Sequence, residues 1–161
     1  MKNTVIALGL LFASTWLIAG GNVTPKLSSV AGVPAAIDTE QKVYSNYDTD
    51  LMWQDSPYTV AEDGAYKNGK SLGKAGTHAH ATQYCARLHY AKHNDWRLPT
   101  SDELMQLHHI EGQVFVNFRG NDFWSASPAT EGRYYVVFTA DSYKFARNKR
   151  QSNYIRCVRN K

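Results

Sequence analysis

A chain of 161 residues that is 43% hydrophobic, 20% charged and 12% aromatic is neither a disordered polymer nor a collagen-like one. Eighteen Lys and Arg against fourteen Asp and Glu leave a formal net charge of +4, which means little if spread evenly. With a leader set aside, roughly 140 residues allow one core and exclude two large domains.

The first element is that leader. Met1-Lys2-Asn3 precedes an apolar run from Thr4 to Ala19, and Gly20, Gly21 and polar Asn22 follow. One cation, an apolar run and a small-residue exit form a secretory signal pattern, so residues 1–20 read as a signal peptide cut after Ala19 or Gly20. The run falls short of the ~20 apolar residues of a membrane-spanning helix. Leu17-Ile18-Ala19-Gly20 begins like a lipoprotein box, but Gly21 stands where the lipidated Cys belongs. The competing reading is a retained leader, which is then the chain's one link to a membrane. Both imply export, to periplasm, cell surface or medium. An oxidising compartment favours pairing Cys85 with Cys157, the only two cysteines. The rival reading is two free thiols or a nucleophile.

Residues 21–41 mix Pro25, Pro34, Gly32, Ser28 and Ser29 with small apolar residues and no period, which reads as a linker or extended arm. The folded domain is expected over residues 42–161. A first strand or hairpin should end at Leu51-Met52-Trp53 after the turn-like stretch Asn46–Asp50. Asp55 to Gly76, with four glycines, reads as a long surface loop. A helix is expected from Thr77 to about Tyr90, with Ala81, Tyr84, Cys85 and Leu88 as its buried stripe. A second helix starts at Thr100, where Thr100-x-x-Glu103 forms a capping box after Pro99. The last third reads as an antiparallel meander of Tyr134–Thr139, Tyr143–Arg147 and Asn153–Val158, with Cys157 on the final strand stapling sheet to first helix.

Several segments stand out in order: Leu51-Met52-Trp53-Gln54, Tyr84-Cys85, Asp95-Trp96-Arg97-Leu98-Pro99-Thr100, Glu103-Leu104, Phe123-Trp124-Ser125 and Tyr154-Ile155-Arg156-Cys157-Val158-Arg159. Together they resemble the Lcl C-terminal domain family, named for the Legionella collagen-like protein, over roughly residues 42–159. The resemblance implies an α+β, C-type lectin-like fold related to formylglycine-generating enzyme. Two helices would pack on a small twisted antiparallel sheet, with one disulfide from helix to last strand. The family often has Gly where this chain has Asp50, which suggests a different turn there. No collagen-like stalk is present. Trp53, Trp96, Leu98, Pro99, Thr100, Glu103, Trp124 and Arg156 are taken as structural motif residues. Arg97 should form a fixed ion pair or bond carbonyls.

No Gly-x-Ser-x-Gly elbow, phosphate-cradling loop or His-Glu-x-x-His pattern appears. His89 and His93 have ligand-like spacing, but solvated histidines are the plainer reading, so neither metal nor other cofactor is expected. The charge is the stronger signal. Residues 144–161 hold Lys144, Arg147, Lys149, Arg150, Arg156, Arg159 and Lys161 and no acid, a net +7, while residues 21–143 sum to −4. Lys144, Arg147, Lys149 and Arg150, with Arg133, form the expected binding patch, and Tyr143 and Tyr154 could flank a sugar. The competing reading is a solvated basic face, or cations spent on the domain's own acids. The resemblance implies adhesion and sulfated glycans. The expectation is therefore a non-catalytic, lectin-like binding domain for an anionic glycan; nucleic acid is set aside because of export. The alternative is an interaction subunit of a bacterial surface assembly, docked on another surface protein through residues 22–41.

Overall fold

The structure, a computed structural model, describes residues 41–161; the leader and the arm up to residue 40 lie outside the described residues. The described chain is α+β. In order it forms β1 (Val43–Asn46), β2 (Leu51–Gln54), α1 (Val60–Lys67), β3 (Ala75–Gly76), α2 (His78–Ala86), α3 (Ser101–Gln106), a 3-10 turn (Leu107–His109), β4 (Asp122–Pro128), β5 (Arg133–Phe138), β6 (Tyr143–Asn148), β7 (Asn153–Tyr154) and β8 (Val158–Asn160). One sheet runs β1-β2-β8 and the other β3-β7-β4-β5-β6.

The β1–β2 hairpin forms where expected, because Asn46 supplies its own turn. Its Oδ1 accepts hydrogen bonds from the Asp48 and Thr49 amides at 2.9 and 3.3 Å. Asp50 closes the turn with φ 55°, the left-handed conformation that glycine adopts at no steric cost. The glycine common in the family thus has a backbone reason here, and Asp, one of the few residues tolerant of that region, meets it.

The stretch read as a surface loop is instead partly helical. Thr59 caps α1: its Oγ1 accepts from the Glu62 amide at 3.2 Å, and the Glu62 carboxylate accepts from the Thr59 amide at 2.8 Å. Glu62 is 6% exposed and also accepts from the Lys74 amide, with the Lys74 ammonium 3.2 Å away. One carboxylate therefore anchors both ends of this stretch. Gly76 is needed for close approach, since a Cβ there would stand 2.6 Å from His80.

Helix α2 starts where expected, with Thr77 as its cap, but ends at Ala86, short of Tyr90. The chain then doubles back through Ala91 and Lys92, both left-handed, to bridge Tyr90 with His93. Of the expected stripe, Ala81 and Cys85 are fully buried, and Tyr84 and Leu88 pack against the same cluster. Helix α3 carries both halves of its capping box.

The three-strand meander needs correction. β4, β5 and β6 form the antiparallel ladder, while β7 leaves β6 and pairs with β3 and, in parallel, with β4. Asn153–Val158 is not one strand either. It divides into β7 and β8, which join different sheets, and Cys157 lies between them. The Cys85–Cys157 disulfide is present, with Cα atoms 5.5 Å apart. It ties α2 to this crossover rather than to a strand.

Strand alternation splits the core in two. Phe123 and Val137 face a cluster with Trp53, Leu104, Phe115 and Tyr154. Their neighbours Trp124 and Val136 face a second, with Cys85, Trp96, Leu98 and Ile155. The motif tryptophans Trp53, Trp96 and Trp124 are all buried, as expected of core residues.

Candidate functional site

Arg97 explains much of the Trp-Arg-Leu-Pro-Thr stretch. Its guanidinium donates to both Glu103 oxygens, at 2.8 and 2.6 Å, while Glu103 also accepts from the Thr100 amide. Burial raises the Glu103 pKa, but the Arg97 bonds and the Thr100 amide outweigh it, and the net shift is downward. Arg97 also exchanges backbone hydrogen bonds with Val158 at 2.8 and 2.9 Å. The motif thus locks a helix start to the last strand. Arg97 is a partly exposed ion-pair residue, its side chain 40% accessible.

The basic tail divides once each cation is traced to its partner. Arg156 is buried beside Asp55 and Arg159 donates to both Asp95 oxygens at 2.7 and 2.9 Å. Lys144 pairs with Asp102 at 3.1 Å and Arg147 with Asp122 at 2.9 Å. Lys161 lies over the Tyr47 ring at 3.5 Å. Among the described residues Lys149 and Arg150 make no ion pair, and neither does Arg133. All three are exposed.

These three lie together. Arg133 opens β5 directly opposite Asn148, and the Lys149 amide donates to the Gly132 carbonyl at 3.0 Å. The turn after β6 is held from several sides. Asn148 Oδ1 accepts from the Arg150 amide at 3.0 Å, the Gln151 amide donates to Asn148 O at 2.9 Å, and the Lys149 carbonyl accepts from the His78 amide at 3.0 Å. Arg133, Arg147 and Arg150 line one shallow depression of about 550 Å³. The backbone carrying the charges is fixed, so little loop entropy remains to be lost on binding.

Other residues named from sequence fall elsewhere. Tyr143 begins β6 opposite Phe138, at the far end of the hairpin from Arg133 and Asn148, and stacks on Phe145 at 5.5 Å. Tyr154 is 2% exposed and donates its hydroxyl to Asp63 at 2.7 Å, so it cannot flank a sugar. His89 and His93 both lie beyond α2 and do not share a helix face.

His78, two residues before His80 and covered by the reading of solvated histidines, is instead buried. It stacks on Tyr134 at 3.5 Å between ring centroids, its Nε2 lies 3.0 Å from the Ser125 carbonyl, and it is adjacent to the Lys149 backbone. Burial first, and then the Lys149 charge, lower its pKa, while the Ser125 bond opposes them. The ring is therefore kept neutral, with Nε2–H donating. An unfolded His takes a proton near pH 6.5, so below that the unfolded state binds more protons. Stability from this site is complete above about pH 6.5 and is lost as pH falls toward the folded value. Thermal midpoints at pH 7.5 and 5 should therefore differ less in His78→Phe than in the wild type. His108, whose pKa burial also lowers, supplies a residual slope.

An α+β domain with a clamped basic turn and a motif-built disulfide core is thus defined. The family model described as the Lcl C-terminal domain matches residues 42–159. The chain belongs to that family. No curated protein gives a significant match to it.

Proposed function

We propose that this chain is an exported, non-catalytic binding domain of C-type lectin-like architecture that recognises anionic, sulfated glycans. The carrying observation is the residue of charge left after internal pairing. Arg133, Lys149 and Arg150 gather at one end of the β5–β6 hairpin with no ion-pair partner among the described residues. Guanidinium forks suit sulfate and carboxylate oxygens, and the fixed turn holds them ready. Lys144 and Tyr143 are not in this reading of the site, and Arg147 sits at its margin, held by Asp122. The lectin-like architecture finds support in a helix tied by a disulfide to the C-terminal crossover, and in β8 returning to pair with β2. Both cysteines are consumed in that bridge, which removes thiol chemistry. Export rests on the leader and on the pairing of the two cysteines.

Heparin chromatography tests the reading against a sulfonate cation exchanger. The wild type should need more salt to leave heparin than the exchanger. Lys149→Ala/Arg150→Ala should erase most of that difference, and Lys144→Ala, which removes a paired and half-exposed cation, should change it little. Equal elution from both matrices, or an equal effect of the two variants, rejects a specific patch.

A further inference from the structure

A cleft of about 280 Å³ opens between the Leu107–His109 turn, residues 110–119 and the ends of β4 and β5. It is separate from the basic turn. Thr139 and Ala140, on its wall, follow the last residue of β5, whereas Arg133 is the first. An extended strand of that length spans ~20 Å.

The wall is mainly apolar, built from Leu107, Ile110, Val114, Phe115, Phe118 and Phe123. Part of this apolar lining reaches solvent, since Phe118 is 44% exposed. A concave apolar site with an exposed apolar rim and a few polar groups is the usual form of a ligand pocket. An apolar cavity of ~150 Å³ holds benzene, so this one has room for a ring and a short tail.

The polar groups have one sign. No acid lines the cleft, but Arg119, Arg156 and His108 do. The Arg156 guanidinium is committed to the Gln54 and Asn117 carbonyls and to Asp55. Arg119 is not saturated. Its Nη2 meets Asp63 at 2.9 and 3.1 Å, while Nε and Nη1 make no hydrogen bond among the described residues. The rings of Tyr58 and Tyr154 lie 5.5 and 5.4 Å from its guanidinium carbon and fix its plane. His108 adds an orphan: its Nε2 is buried with no hydrogen-bond partner. Leaving such an atom unpaired is costly, and a ligand oxygen would relieve it.

We propose that this cleft binds a small carboxylate with an aromatic body. The body lies against Phe115, Phe118 and Phe123, the carboxylate accepts from the free Arg119 donors, and His108 Nε2–H is the second donor. No covalent step is involved.

The test titrates 3-phenylpropionate into the purified chain and follows backbone amide shifts by NMR. Saturable binding at about 1 mM or tighter is expected, with shifts centred on Phe118, Arg119 and Thr139. The uncharged amide and 3-phenylpropylamine should bind at least about tenfold more weakly, the worth of one charge-assisted contact. Phe118→Ala, a change at a partly exposed site, should weaken binding by a similar factor. Arg119→Gln should abolish the preference for carboxylate over amide. If Arg119→Gln fails to fold, the comparison of the three probes on the wild type still decides. Shifts that stay linear to high concentration overturn the site. Equal binding of the amine overturns the charge assignment. Self-association through residues 110–119, seen as a dimer with no probe shifts, overturns it as well.

Discussion

Replacing both Cys85 and Cys157 with alanine is expected to lower the thermal midpoint by about 15 °C, the largest effect available from a pair of small substitutions. The two residues are 72 apart in sequence, so the bridge closes a long loop in the unfolded chain. The chain-entropy model assigns such a loop about 4 kcal/mol. For a domain of this size the entropy of unfolding converts that figure into the stated shift. Both sulfurs are fully buried and belong to one core cluster with Trp96, Trp124 and Ile155, so small cavities add to the loss. Alanine is chosen over serine because two buried hydroxyls would introduce a separate penalty. Burial also predicts the behaviour with reductant. The folded wild type should resist it well below the midpoint and lose its bridge only as it unfolds. An unchanged midpoint in the double alanine variant would sink the assignment of the bridge as the main staple.

How far the fold could be read from sequence depends on whether the signal was local. Helix α3 was legible because Thr100 and Glu103 form both halves of a cap that needs no distant partner. The same signature stands at Thr59-x-x-Glu62, and it was there to be read. It was hidden by Gly64 inside the helix and by the glycines that follow, which made the stretch look like a loop. The end of α2 was misplaced because Leu88 keeps the helical period after the helix has stopped. The fate of β7 was not legible at all. Its departure from β6 depends on pairing with β3 and β4, and these contacts join residues far apart in sequence, Gly76 with Asn153 and Phe123 with Tyr154. Charge behaved similarly. A count along the chain gave a +7 tail, but Arg156 and Arg159 find Asp55 and Asp95 far away in sequence. Lys144 and Arg147 likewise find Asp102 and Asp122, so the candidate patch shrinks to Arg133, Lys149 and Arg150. The cleft beside Phe118 had no sequence mark, because its wall is assembled from separate segments.

Arg156→Met should be the most damaging single change at a charged residue, costing about 3–5 kcal/mol. Arg156 is 4% exposed, and its guanidinium sits 3.8 Å from the centre of the Phe115 ring. It donates to the Gln54 carbonyl at 2.9 Å and to the Asn117 carbonyl at 2.7 Å, and faces Asp55 at 3.4 Å. Asp55, 3% exposed, in turn accepts from the amides of Val116 and Asn117 at 2.7 and 2.9 Å. A cation and an anion together therefore hold residues 115–117 onto the end of β2. Methionine fills the volume of Arg but leaves two carbonyls unpaired and a buried carboxylate without its counter-charge. Adding Asp55→Asn removes that stranded charge. The double variant should be less destabilised than the sum of the two single changes, by about 1 kcal/mol or more in urea unfolding. Amide exchange at Val116 and Asn117 should accelerate in Arg156→Met beyond the global loss, because these amides depend on the pair locally. An Arg156→Met variant within about 1 kcal/mol of the wild type would refute this account. Strict additivity of the two changes would refute the coupling. Phe115 and Arg156 also line the cleft beside Phe118, so 3-phenylpropionate binding should weaken in Arg156→Met even under conditions where the variant is fully folded.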